Sequence, residues 1–210
     1  MDHLFTKDRF NQCEVCAYHE SGHILFAYLC GYKCMEVQLI EENEEGFSSY
    51  AVIDYGKDAY LASKFINGNT DIDFFTRLPL GQRLESIEVG RRLARIFLGG
   101  SVAAAVQKNG GNVHIPLPMQ IDLTDLMRVE FIQQVMHEIS TEHEDNFIEY
   151  GLQEALYTLN NINVWNTIKA LAERLLKENY LSKNDIEECL EEHGIVYDEE
   201  SPLDASFDYK

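Results

Sequence analysis

The spacing of hydrophobic and polar positions predicts a mainly helical chain with one β-hairpin near its N-terminus. Apolar residues recur at helical spacing in several stretches, while two short stretches alternate apolar and polar residues as strands do. The predicted strands are Met35–Ile40 and Phe47–Asp54, joined by a turn, and we expect this hairpin beside the first helix. The predicted helices cover residues 10–30, 82–107, 124–140, 143–159, 164–175 and 182–193.

Glycine and capping residues indicate where the helices end. Gly31 suits the end of the first helix, and Ser182 with Asp185 makes a capping-box pattern at the start of the last. The pair Gly99-Gly100 is expected to interrupt the 82–107 helix, and the alanines that follow would allow close packing against another helix.

Two stretches of the chain show little hydrophobic periodicity. Residues 55–81 read as a long connection with one short helix near Asp58–Phe65, which would be either a lid over a binding site or a packed insertion. Residues 196–210 form an acidic tail that we expect to be disordered. The predicted organisation is therefore one domain over residues 1–195, followed by this tail.

The charge balance is strongly acidic, with 36 Asp and Glu residues against 17 Lys and Arg residues and a net charge of −19. This balance excludes the basic footprint of a nucleic-acid-binding protein and would repel anionic membranes. No apolar stretch is long enough to span a bilayer, and no signal peptide is visible. We therefore expect a soluble, cytoplasmic protein without nucleic-acid partners.

The five cysteines do not suggest a disulfide framework. Cys13-x-x-Cys16 and Cys30-x-x-x-Cys34 look like two halves of a zinc knuckle. If one continuous helix joins Cys16 to Cys30, however, the pairs are roughly 21 Å apart at 1.5 Å per residue. We expect reduced thiols in the core or at the surface.

The stretch His19-Glu20-Ser21-Gly22-His23 is the sequence pattern that indicates a specific chemistry. Two histidines four apart lie on one face of a helix and can bind one metal ion, and Glu20 can act on a metal-bound water without being a ligand. A helix that is otherwise apolar makes such a cluster costly unless a metal satisfies it. Gly22 indicates a close approach of another backbone, because glycine inside a helix otherwise costs stability.

Two histidines do not complete a catalytic zinc site, which usually has three protein ligands and an open position. Spacing alone does not identify the third. The candidates are Asp122, Asp125, His114, His137 and many glutamates.

Four segments resemble, in order, the peptidase domain of the FtsH family of zinc metallopeptidases. Ala17-Tyr-His-Glu-Ser-Gly-His23 is similar to the family's Ala-Tyr-His-Glu-Ala-Gly-His. The other three are Val37–Ile40 with Gly46–Tyr50, Ile96–Gly100 with Ala103, and Lys169–Leu176 with Leu181 and Ile186–Leu190. The resemblance covers residues 13–193 and implies the helical, bundle-like FtsH peptidase fold, with the hairpin beside the metal-binding helix.

The resemblance also implies a third ligand. In the family it is an aspartate at the start of a helix, in Ser-Asn-Asp-Leu-x-x-Ala-Thr. Asp125-Leu-Met-Arg-Val129 fits that register better than Asp122 does. The implied zinc ligands are His19, His23 and Asp125.

The chain departs from the family pattern in the second matching helix. Where the family reads Gly-Gly-Arg-Ala-Ala-Glu-Glu, this chain reads Gly99-Gly-Ser-Val-Ala-Ala-Ala105. The family's glutamates, which lie near the zinc, are replaced by Ala104 and Ala105, so less support around the ligands is expected.

Two functions follow from these observations. One is a zinc metallopeptidase that cleaves flexible or unfolded polypeptides, with Glu20 as general base. The other is a zinc-binding interaction module that has lost turnover, which the missing glutamates favour. The membrane helices and the ATPase domain of FtsH do not appear in this sequence, so unfolding substrates with ATP would require a separate ATPase partner. A homo-oligomer is the other assembly that we consider.

Overall fold

The computed structural model describes residues 2–42, 46–67, 70–116, 119, 121–140 and 147–195. These residues form eight α-helices and a small antiparallel sheet. The prediction of a mainly helical fold with a hairpin is confirmed. The elements are α1 (Asp2–Leu29), β1 (Lys33–Glu42), β2 (Gly46–Asp54), a 3-10 turn (Gly56–Asp58), α2 (Ala59–Ile66), α3 (Ile72–Thr76), α4 (Leu80–Lys108), α5 (Leu123–Ile139), α6 (Phe147–Leu159), α7 (Ile162–Glu178), β3 (Tyr180–Ser182) and α8 (Lys183–Glu192).

Helices α1 and α4 cross at the centre of the molecule through small residues. A Cβ atom added at Gly22 would lie 2.6 Å from the carbonyl oxygen of Gly99 and 2.8 Å from the Cβ atom of Ala103. Only a glycine fits there, because Cβ atoms do not approach other heavy atoms so closely. The close backbone approach expected at Gly22 is therefore confirmed.

The expected interruption of α4 at Gly99-Gly100 is wrong, since this helix is continuous from Leu80 to Lys108. Both glycines are present for packing. Added Cβ atoms would lie 2.3 Å from the Phe26 ring at Gly99 and 2.4 Å from the His23 ring at Gly100. Burial against α1 offsets the helix-propensity cost of the two glycines.

The sheet has the strand order β2-β1-β3, so β2 and β3 are its edges among the described residues. The predicted hairpin is confirmed, with Gln38 opposite Tyr50 and Leu39 opposite Ser49. The third strand, which the sequence pattern did not reveal, pairs with β1 through Leu181 opposite Val37. The inner face of the sheet packs on α1, which carries the His-Glu-x-x-His stretch.

The described residues of the 55–81 connection, 55–67 and 70–81, pack against the core. The predicted short helix is present as α2, but α3 was missed. The rings of Phe65 on α2 and Phe75 on α3 are both buried, with centroids 4.6 Å apart. Because α3 has only five residues, it offers almost no period to detect in the sequence.

Other boundaries differ modestly from the prediction. Helix α1 begins at Asp2 rather than near residue 10, because a helix once nucleated extends into polar residues at little cost. It ends before Gly31, whose φ of 79° is readily adopted by glycine. The predicted start of the 143–159 helix falls on residues 141–146, and the predicted disordered tail on 196–210; both lie outside the described residues.

All five cysteines are free, and their reduced state stays a prediction. Four are buried and Cys16 is half-buried. Across the described ranges, no helix combines the length and hydropathy that a bilayer crossing requires.

Candidate metal centre

Three side chains converge beside the crossing of α1 and α4. The Nε2 atoms of His19 and His23 are 2.9 Å apart, and each lies 3.3 Å from Oδ2 of Asp125. This is the one His/Cys/Asp/Glu group within the described ranges whose atoms could bind a common metal ion. The two histidines come from one face of α1, as their spacing predicts, and the aspartate comes from the first turn of α5.

Asp122 and Asp125 have different roles at the start of α5. Asp122 is the N-cap, and its Oδ1 accepts hydrogen bonds from the backbone amides of Thr124 and Asp125. Asp125, one turn later, is 2% exposed and faces the histidines. Of the aspartates left open by spacing, the structure thus brings Asp125 to the histidines and uses Asp122 as a cap.

The two histidine candidates for a third ligand lie outside this group. His114 is exposed in the loop after α4, where its backbone amide bonds to the Asn112 side chain. His137 is exposed near the end of α5 and borders a separate cavity of about 680 Å³. Neither is near the converging ring nitrogens.

The backbone of α4 orients the imidazole of His23. Its Nδ1 is 2.8 Å from the carbonyl oxygen of Ile96, so Nδ1–H donates and Nε2 faces His19 and Asp125. The ring lies directly over Gly100, whose missing side chain leaves the space for it. Metal-binding histidines commonly donate their other N–H to a carbonyl in this way, which fixes the tautomer and orientation.

Burial and the charges of neighbouring side chains shift the pKa values of His19, His23 and Asp125. Burial and the neighbouring imidazole of His23 lower the pKa of His19 to about 4. Burial also opposes a charge on His23, but the adjacent Asp125 carboxylate outweighs it and raises the pKa of His23 to about 9. Burial likewise opposes ionisation of Asp125, yet His23, His19 and Arg128 hold the pKa of this carboxyl below its ordinary value.

The donor set fits a zinc ion. Ligand atoms at about 2.0–2.1 Å from a tetrahedral zinc lie roughly 3.3 Å from one another, close to the 2.9, 3.3 and 3.3 Å measured here. Oδ2 of Asp125 is buried and makes no hydrogen bond of good geometry within the described part of the chain. A buried carboxylate oxygen without a hydrogen bond is costly, and a shared cation would remove that cost.

Glu20 is held beside this group by a residue of the hairpin. It is 5% exposed, and its Oε1 accepts a hydrogen bond of 2.8 Å from the hydroxyl of Ser49 on β2. Burial raises the pKa of Glu20, whereas the charge of His23 and the Ser49 hydrogen bond oppose that rise. Sequence reasoning missed Ser49, because only the placement of β2 over α1 brings it to Glu20.

These residues open onto a cleft of about 1060 Å³ that runs between β2 and the start of α5. One wall is the edge strand, from Phe47 to Ile53, and the floor includes His19, Glu20 and His23. Tyr55 and Ile66 of the 55–81 connection also line it, so part of this insertion contributes to the site. A groove beside an unpaired strand edge suits an extended polypeptide.

The departures from the FtsH pattern also lie at this cleft. Ala104 and Ala105 line it and provide no polar group there. Ser101, where the family has arginine, accepts a hydrogen bond of 3.0 Å from the backbone amide of Asp122 and so attaches the start of α5 to α4. Arg128 lies 3.7 Å from Oδ1 of Asp125 and stacks over the Phe97 ring. Sequence reasoning identified neither Ser101 nor Arg128.

Comparison with known proteins gives no family assignment. No protein-family model matches the chain, and no curated protein is significantly similar to it. The functional argument therefore depends on the residues and geometry of the site.

Proposed function

We propose that this chain is a zinc-dependent metallopeptidase of the FtsH type, which hydrolyses peptide bonds in flexible or unfolded polypeptides. The observation that supports this most is the convergence of His19, His23 and Asp125 next to Glu20, at the base of an open cleft. A structural zinc site would be closed by four protein ligands, whereas this group has three.

The chain's own residues have separable roles in this proposal. His19, His23 and Asp125 would hold zinc, which acts as a Lewis acid on the scissile carbonyl and makes water easier to deprotonate near neutral pH. Glu20 accepts the proton of the attacking water and passes it to the leaving amine. Burial of Glu20 and its hydrogen bond to Ser49 restrict its rotamers, which keeps it close to the position it needs.

The edge strand supports an extended substrate. The backbone N–H and C=O groups on the free side of β2 have no partner strand in the described structure. A polypeptide that adds to this edge would form main-chain hydrogen bonds regardless of its sequence. Most extended segments of a folded protein are already paired within its own sheets, so we expect unfolded or flexible substrates.

The deciding experiment measures zinc content and casein cleavage for the parent chain and Glu20→Gln. We expect one zinc per chain in both and cleavage in the parent alone, because glutamine preserves the shape but cannot take a proton. Equal turnover in Glu20→Gln would contradict the mechanism, and a parent without zinc after reconstitution would contradict the metal site.

A second candidate is a zinc-binding interaction module without turnover. Ala104 and Ala105 in the cleft favour it, since the glutamates of the family pattern are missing there. It ranks below the peptidase because Glu20 and all three proposed ligands are retained. A parent chain that binds zinc, cleaves no peptide and recovers a stoichiometric partner would support it instead.

A further inference from the structure

Ser49 connects the edge strand to the buried glutamate. Its hydroxyl donates to Oε1 of Glu20 over 2.8 Å, from β2 to α1. A hydrogen bond to a buried carboxylate is stronger than one between neutral groups. Glu20 therefore has a defined position that depends on where β2 lies.

The register of the sheet shows which way the backbone of Ser49 faces. The amide of Leu39 on β1 donates to the carbonyl of Asn179 over 2.9 Å, so the main chain of Leu39 faces β3. Ser49 is the partner of Leu39, and the two form a pair without mutual hydrogen bonds. The N–H and C=O of Ser49 consequently point away from β1, toward the free edge of β2.

A second contact agrees with this direction. Phe47 precedes Ser49 by two residues, so its carbonyl faces the same way. That carbonyl accepts a weak hydrogen bond of 3.9 Å from the thiol of Cys16 on α1. By the same alternation, the free edge presents the main chain of Phe47, Ser49 and Ala51.

We propose that Ser49 is a positioning residue that couples substrate binding to the general base. This inference rests on the proposed peptidase function. The main chain of Ser49 pairs with the extended substrate, and its side chain holds Glu20. Because both groups belong to one residue of a paired strand, a substrate aligned along β2 has a fixed position relative to the carboxylate that accepts the proton.

Three variants test this inference on the full chain loaded with zinc. Ser49→Ala removes the hydroxyl and keeps the main chain, so we expect kcat for a casein-derived peptide to fall about tenfold or more, with KM changed less than about twofold. Ser49→Thr restores a hydroxyl on a residue that strands favour and should recover most of kcat. Ser63→Ala is the matched control, because it removes a serine hydroxyl that bonds to the carbonyl of Tyr60 on α2, outside the cleft.

The outcomes separate this inference from the function that it assumes. A parent chain that binds zinc and cleaves nothing overturns the peptidase function, and this inference with it. An active parent whose Ser49→Ala variant keeps its kcat, or changes only KM, overturns the role of Ser49 alone. If Ser49→Ala loses zinc, Ser49→Val replaces it, because valine has the shape of threonine without the hydroxyl, and a kcat equal to that of the parent overturns the proposal equally.

Discussion

The carboxylate of Asp122 accepts a hydrogen bond from the backbone amide of Asp125 over 3.3 Å, so one aspartate caps the helix that carries the other. This arrangement predicts different effects for two similar substitutions. Asp125→Asn should weaken zinc binding by more than the roughly 100-fold seen on loss of outer-shell partners. Competition with a chelator of known affinity measures this.

The matched substitution is Asp122→Ala, which removes the cap and no proposed ligand. We expect it to lower the free energy of unfolding by about 1 kcal/mol and to retain one zinc per chain. Denaturant unfolding and zinc analysis measure both effects. Loss of zinc in Asp122→Ala with retention in Asp125→Asn would reverse the assignment.

Gly100 is expected to be essential for the metal centre, although it provides no ligand atom. In Gly100→Ala, the added Cβ atom would lie 2.4 Å from the His23 ring and would displace it. We expect zinc affinity to fall at least about tenfold, as when an orienting contact is lost. The same chelator competition tests this, and unchanged affinity would mean that the ring can move without cost.

Gly22→Ala tests the crossing of α1 and α4. Alanine usually stabilises a helix interior relative to glycine by about 1 kcal/mol. Here we expect the opposite, a loss of roughly 1–3 kcal/mol, because the added Cβ atom would overlap the backbone of Gly99. Gly81→Ala is the control, since nothing lies within 4 Å of its added Cβ atom. Equal unfolding midpoints for the two variants would contradict the packing described here.

The unpaired edge of β2 predicts how a proline on that strand would change KM. The N–H of Ala51 faces this edge rather than β1, so Ala51→Pro removes a donor for the substrate without removing a bond of the β1–β2 ladder. We expect a rise in KM with little change in kcat or in far-ultraviolet circular dichroism. Val52→Pro, whose N–H faces β1, should instead destabilise the hairpin. A KM in Ala51→Pro equal to that of the parent would argue against pairing at this edge.

Burial of the cysteines predicts how many thiols react in the native chain. Burial raises the pKa of Cys30 and of Cys34 to about 12, so at pH 8 only about one molecule in ten thousand carries either thiolate. We expect at most one thiol, the half-buried Cys16, to react quickly with an Ellman-type reagent in the native chain, and five in denaturant. Cys16→Ser should remove the rapid phase, and two rapid native thiols would contradict the burial pattern.

Hydrophobic periodicity predicted the elements in which the spacing of apolar residues along the sequence shows which side chains are buried. Val164, Ile168, Leu171 and Leu175 form the apolar stripe expected of α7, and all four are buried. Strand β3 has only three residues and no alternation to detect. It is a strand because β1 lies beside it, and that pairing brings Tyr180 to Glu36 across 144 positions of the chain.

The same distinction applies to the candidate site, where some residues could be predicted from the sequence and others could not. His19 and His23 could be predicted together because a single helix sets their spacing. Asp125 could not be chosen over Asp122 by spacing, since the choice depends on how α5 packs on α4. Ser49 and Gly100 carry no signal of their own, because each acts through a side chain that tertiary packing brings close.

The late position of β3 has a consequence for synthesis of the protein on the ribosome. The histidines leave the ribosome before β3 does, and the sheet that flanks them gains its third strand only when residues 180–182 are available. Domains generally fold as units once their full sequence has left the exit tunnel. A nascent chain would therefore carry the histidines well before the sheet beside them has its third strand, so their surroundings reach the final arrangement only after residue 182 has been made.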